Sequence, residues 1–171
     1  HQRKFFVAGG SSLSTFEEYV MLGIIDRYMA REAFERIRKS GGDGGYNLAN
    51  ELISVFGGIG RGVDDRRVVL RLADSVESGH IHLRDRVFVY RNSRGREIVL
   101  GAQGDQVLDE VVAIAADIHR NVAKKRGIDP IADDEVRSGI LSAVRQVSYE
   151  VERRARVRKF KQWARRLFGF R

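Results

Sequence analysis

The sequence has no cysteine, one proline, one tryptophan and no long apolar run. Without thiols there are no disulfides and no thiolate metal sites, which fits an intracellular protein. A single proline beside many arginines also suits a chain built for high temperature. A membrane span needs about 18 or more consecutive apolar residues. The richest stretch here, residues 19–25, is far shorter and contains Gly23. No secretory signal is read at the start, and a chain opening on His1 need not open at its natural beginning. The expectation is a cytoplasmic protein, or a subunit of a nucleoprotein particle.

Acidic residues are also missing from one place. Residues 153–171 hold nine cations (Arg153, Arg154, Arg156, Arg158, Lys159, Lys161, Arg165, Arg166 and Arg171) and no carboxylate side chain. The whole chain has 31 Lys and Arg against 23 Asp and Glu, so residues 1–152 carry a net charge of −1. The excess is therefore local, and it steers polyanions or acidic lipid to one end of the molecule.

Periodicity predicts a mainly α fold with one β-hairpin (α+β): three helices, the hairpin, then two long C-terminal helices. Residues 1–14 read as a basic, aromatic arm. Ser14 and Glu17 form a capping box for a helix to about Lys39, and the Gly41, Gly42, Gly44 and Gly45 cluster reads as a flexible joint. A shorter helix follows over 47–56, another glycine cluster breaks it at 57–62, and a third helix fits 64–77 with Gly79 as its cap. Residues 80–91 then alternate, with Ile81, Leu83, Val87 and Val89 on the apolar side. His80, His82, Arg84, Arg86, Phe88 and Tyr90 take the other side. With a turn at 92–95 and a return strand to Leu100, residues 80–100 read as a hairpin. A helix over 105–125 ends at Gly127. Asp129 and Pro130 precede a long helix from about Asp133. Its stripe of Val136, Ile140, Val144, Val147, Val151 and Ala155 is read as continuing in phase through Phe160, Trp163 and Leu167. The resulting division is an arm (1–14), a helical domain with the hairpin (15–100), a helical assembly region (101–152) and a basic amphipathic tail (153–171).

The element order over residues 15–100 resembles a winged helix-turn-helix domain. The junction Ala73-Asp74-Ser75-Val76-Glu77-Ser78-Gly79-His80-Ile81 is similar to that family's passage from recognition helix to wing. The resemblance implies that the third helix enters the DNA major groove and that the hairpin is the wing. That helix would present Arg61, Arg66, Arg67 and Arg71. The sequence departs from the pattern in its glycine-rich turn before this helix. Asp64 and Asp65 at the helix start would also repel phosphate.

Other constellations are weighed on their chemistry. His80 and His82 share a strand face but lack further metal ligands. His119 beside Asp117 reads as a surface or capping histidine. The glycines at 57–62 follow a helix and precede no Lys-Ser/Thr pair, unlike a phosphate loop. No nucleophile lies beside a base. No catalytic residue, metal or cofactor is therefore expected. The first reading is a nucleic-acid-binding protein, for DNA ahead of RNA and assembled as a homo-oligomer. Its contacts would be Arg66, Arg67, Arg71, Arg84, Arg86, Arg153, Arg154, Arg158, Lys159, Lys161, Arg165 and Arg166. The alternative is docking on an acidic membrane surface through the basic aromatic tail.

Overall fold

The computed structural model describes residues 21, 23, 25–59 and 66–169. The capping box at 14–17 and the glycines at 60 and 62 lie outside the described residues. So do Arg61, Asp64 and Asp65. The first fully described helix, α1 (Arg27–Ile59), starts where Asp26 can cap it. Asp26 Oδ1 accepts the Met29 backbone N–H at 3.0 Å, satisfying a donor that every helix start leaves open.

In the part described, the two helices expected over 14–39 and 47–56 meet at a kink at Gly42 (φ 64°, ψ −166°), within the glycine cluster read as a joint. That joint is packed against the sheet, and its glycines let α1 lie directly on it. A Cβ on Gly42 would stand 3.0 Å from the Asn92 and Ser93 backbone, and one on Gly44 would stand 3.1 Å from the Arg91 carbonyl oxygen. Side chains at these positions would push the layers apart.

The remaining elements are α2 (Arg66–Glu77), β1 (His82–Arg84), β2 (Val87–Arg91), β3 (Glu97–Val99), α3 (Leu108–Arg126) and α4 (Asp133–Phe168). The fold is therefore mainly α with a small antiparallel sheet, as expected. The sheet has three strands in the order β1-β2-β3, because the single strand read over 80–91 is itself a hairpin. Asp85 and Arg86 both take positive φ, 50° and 66°, and form a two-residue turn between the paired residues Arg84 and Val87. Such turns match the twist of the strands they join.

This turn corrects the facing of the sheet. Across an antiparallel pair, opposite residues share a face. Leu83 pairs with Phe88 and Tyr90 with Ile98, so these four form one face. Phe88 and Tyr90 are buried there, not exposed beside His82 and Arg84.

α1 packs most extensively on α3, and α2 on α4. Ile37, Leu52, Leu72, Phe88, Ile118 and Ile140 are fully buried where these layers meet. Each such side chain contributes about 1.5–3 kcal/mol relative to leaving it in water. Asp105 sets the start of α3. Its carboxylate accepts the N–H groups of Gly101 and Val107, both at 2.9 Å, and the Tyr90 hydroxyl at 2.5 Å. Burial and that carboxylate push the Tyr90 hydroxyl well above the ordinary phenol range. Gly127 ends α3 in a left-handed conformation. α4 begins after Ala132 in extended backbone, so Asp129 and Pro130 stand in the preceding loop and not at its cap.

Candidate binding surface on the C-terminal helix

α4 divides at Arg158. Before it, a cluster of arginines is matched to carboxylates. Glu150 is only 2% exposed at its side chain and is surrounded by three guanidinium groups. Arg153 donates to it at 3.1 and 2.8 Å, Arg154 at 3.1 Å, and Arg66 reaches across from α2 at 2.9 Å. Arg153 foremost, with Arg154 and Arg66, holds the Glu150 carboxyl down at about 2, against the opposing effect of burial. A buried carboxylate is tolerated because its charge is compensated by donors on several sides.

Arg154 carries the network further. It donates to Asp74 at 2.6 Å and to Glu77 at 3.2 Å, both on α2. Arg158 donates to Glu77 at 2.8 Å, and this contact is the main reason the Glu77 carboxyl lies below its ordinary range. Arg154 and Arg158 therefore fasten α4 to α2, while Arg153 holds Glu150 within α4. The i to i+3 and i+4 spacing from Glu150 to Arg153 and Arg154 was readable in the sequence. The partners on α2 were not, because they are about 80 residues away.

Most of the other cations proposed as contacts are also engaged. Arg71 lies 3.8 Å from Glu51. Arg84 pairs with Glu97 at 2.8 Å, across the sheet face that was read as basic. Arg86 pairs with Glu152 at 3.1 Å and stacks 5.8 Å from the Tyr149 ring centre. Arg67 is exposed on α2 and also makes interactions within the protein. Solvent-exposed pairs of this kind are individually worth little, but they occupy these arginines within the protein.

Around and after Arg158 the helix changes character. Arg156, just before it, and Lys159, Lys161, Arg165 and Arg166, after it, are exposed, and among the described residues none of the five has a carboxylate partner. Phe160, Trp163, Leu167 and Phe168 are 64, 53, 59 and 64% exposed. The rings touch one another: Phe160 and Trp163 centres are 5.7 Å apart, and Trp163 and Phe168 meet edge to face at 6.2 Å.

Helical geometry explains the exposure and corrects the sequence reading. At 3.6 residues per turn, the buried stripe of Val136, Ile140 and Val147 continues along Arg154, Arg158 and Arg165. Phe160, Trp163 and Leu167 lie roughly half a turn away from it. The apolar phase therefore does not run through α4. It changes side where contact with α2 ends. Lys159 and Arg166 border the aromatic face on one side, Lys161 lies beyond Phe160 on the other, and Arg165 lies on the opposite side of the helix. The last ten residues of α4 extend roughly 15 Å at 1.5 Å per residue.

Among the described residues no helix is long and apolar enough to cross a membrane, and no group of three His, Asp or Glu side chains is placed to hold a metal ion. Comparison with protein-family models, with curated proteins and with solved structures found no match to this chain.

Proposed function

We propose that this chain is a binding protein whose last helical turns dock, in the plane of the interface, on an acidic lipid surface. One observation carries the reading: an exposed aromatic cluster faces away from the body and is bordered on both sides by cations without partners. Tryptophan and phenylalanine partition into the headgroup boundary, and flanking Lys and Arg stay at the level of the lipid phosphates. Each cation near an acidic leaflet is worth about 1 kcal/mol. A second copy of this chain is a poor occupant for the same face, because it would bring two unmatched rows of cations together.

A second reading, binding of nucleic acid backbone, rests on the same cations. Arg156, Lys159, Lys161, Arg165 and Arg166 could equally neutralise phosphodiesters. The winged-helix reading would add α2 and the strands as a second contact region. That reading leaves the solvent-facing rings without a role.

Co-sedimentation of the full chain separates the two. Vesicles of phosphatidylcholine with a third phosphatidylglycerol should pull the protein down, and pure phosphatidylcholine should not. Duplex DNA should bind more weakly, with an affinity that Trp163→Ala leaves unchanged. Protein that stays in the supernatant with acidic vesicles but binds duplex DNA tightly, with a steep salt dependence, would replace the lipid reading with the second one.

A further inference from the structure

A second basic site lies elsewhere on the molecule and uses no residue of α4. A cleft of about 610 Å³ opens between the first half of α1, the turn joining β2 to β3, and the loop leading into α3. Its charged lining is Arg36, Lys39, Arg94, Arg96 and a single carboxylate, Glu110. Arg36 occupies that carboxylate through two hydrogen bonds of 2.9 and 3.2 Å. Among the described residues, Lys39, Arg94 and Arg96 have no acidic partner.

These three cations are held in place by structure that does not neutralise them. Asn92 fastens the turn. Its N–H donates to the Arg96 carbonyl at 2.8 Å, its carbonyl accepts from Gly95 at 3.0 Å, and its side-chain oxygen accepts the N–H groups of Arg94 and Arg96 at 3.0 and 2.9 Å. The same turn is pressed against Gly42 of α1, and Ser93 Oγ donates to the Ser40 carbonyl at 3.4 Å. The backbone bearing Arg94 and Arg96 is thus fixed beside Lys39. Like charges held together on a rigid frame repel, and an anion between them removes the cost.

The rest of the lining narrows the chemistry. It is polar, with Ile98 as its one aliphatic side chain and no aromatic ring, so it offers no platform for a base or an apolar body. A volume of 610 Å³ is in the range of small-molecule sites. Guanidinium forks and a lysine ammonium are the groups that recognise phosphate oxygens. One phosphate brings about −1.5 to −2 charges at neutral pH and would leave part of the lining charge unmatched. Two or three linked phosphates match it. We propose that this cleft binds a small ligand bearing a di- or triphosphate chain.

Isothermal titration of the full chain near 150 mM salt tests this, with inorganic tripolyphosphate, pyrophosphate, orthophosphate and sulfate as probes. Tripolyphosphate and pyrophosphate should bind at least tenfold more tightly than orthophosphate or sulfate. The double variant Arg94→Ala/Arg96→Ala should weaken tripolyphosphate binding by tenfold or more at an unchanged melting temperature, since neither side chain has an acidic partner among the described residues. Lys161→Ala/Arg165→Ala should leave it unchanged, which separates the cleft from the tail. A nucleoside triphosphate matching tripolyphosphate shows that the phosphate chain is what is recognised, and tighter binding identifies a nucleotide as its bearer. Tripolyphosphate binding no better than sulfate, or equal binding by the Arg94/Arg96 variant, overturns the proposal. So does a single-stranded oligonucleotide that binds through Arg94 and Arg96 where tripolyphosphate does not.

Discussion

Over residues 133–158, α4 keeps the stripe from Val136 to Val147 against the body and sets Arg137, Arg153, Arg154 and Arg158 on carboxylates. Residues 159–168 expose their rings and leave their cations unmatched. The two stretches have similar raw materials: helix-forming residues, many arginines and regularly spaced apolar side chains. What separates them is angular phase and the reach of α2. As far as Glu77 extends, an arginine on the inward side of α4 finds an acid. Beyond it, the inward side has nothing to meet, and the apolar residues have moved to the other side. The difference shows that charge totals over a segment say little about what the segment does. Arg153, Arg154 and Arg158 are structural fasteners, and only the residues around and after them are available to an outside partner.

The comparison breaks most clearly under truncation. Removing residues 153–171 takes three cations from α2 and from the buried Glu150, leaving that carboxylate with Arg66 alone. The expected loss is about 3 kcal/mol, the scale for a buried pair that loses one side, read as a lower denaturant midpoint. Removing only 159–171 should change stability by no more than about 0.5 kcal/mol while abolishing vesicle binding. Equal stability of the two truncations would erase the proposed boundary at Arg158.

Glu150→Gln sharpens the same boundary with one atom. It keeps the side-chain shape and removes the charge, so stability should fall by about 2 kcal/mol, with vesicle binding unchanged. Its pH dependence has a definite sign. A carboxyl held near 2 in the folded protein and near its ordinary value of 4.5 when unfolded stabilises the fold fully above 4.5. That stability is lost as pH falls from there toward 2. Thermal melts between pH 6 and pH 2 should show a shallower acid decline in the Gln variant. Parallel curves would mean that Glu150 does not govern this range.

A smaller effect is expected in the body. His119 is 2% exposed, and neither ring nitrogen has a hydrogen-bond partner. Burial, then the charge of Arg120, lowers its proton affinity below the ordinary imidazole value of 6.5. The folded state therefore resists protonation, and stability falls as pH drops below about 6.5, where the unfolded chain takes up the proton first. His119→Leu should flatten that part of the profile and cost less than about 1.5 kcal/mol at pH 7.5, since it removes polar atoms that have no partner. An unchanged slope between pH 7 and pH 5 would place the titration elsewhere.

The legible part of this fold is the part governed by a single unbroken period. The stripes of α2 and α3, and the left-handed glycines at 79 and 127, could be read because each is local. The sheet was misread because the turn at Asp85 and Arg86 carries no glycine. Non-glycine residues rarely take positive φ, so nothing punctuates the alternation. A two-residue loop carries the pairing from an even position to an odd one, which inverts the apparent face for Phe88 and Tyr90. The glycines of α1 look like a hinge in one dimension, and only the strand lying across them shows that they are a contact. In the tail, residue types and spacing were legible. The change of side was missed because apolar residues three and four apart suggested one stripe, and the half-turn offset emerges only when angles are counted from Val136. The acidic partners on α2 and the Lys39, Arg94 and Arg96 cleft depend on contacts between distant parts of the chain, which no local pattern announces.

Trp163 tests the central claim most directly, because it is the only tryptophan and sits within the exposed cluster. The account predicts a solvent-like emission in the unliganded full chain. Vesicles containing phosphatidylglycerol should shift it to the blue and shield it from aqueous quencher, whereas neutral vesicles should not. Trp163→Ala should weaken vesicle binding about tenfold, with the melting temperature unchanged. Emission that is already blue and quencher-protected without vesicles, together with destabilisation by Trp163→Ala, would contradict it: the ring would then be packed against protein, and the last turns of α4 would belong to the fold.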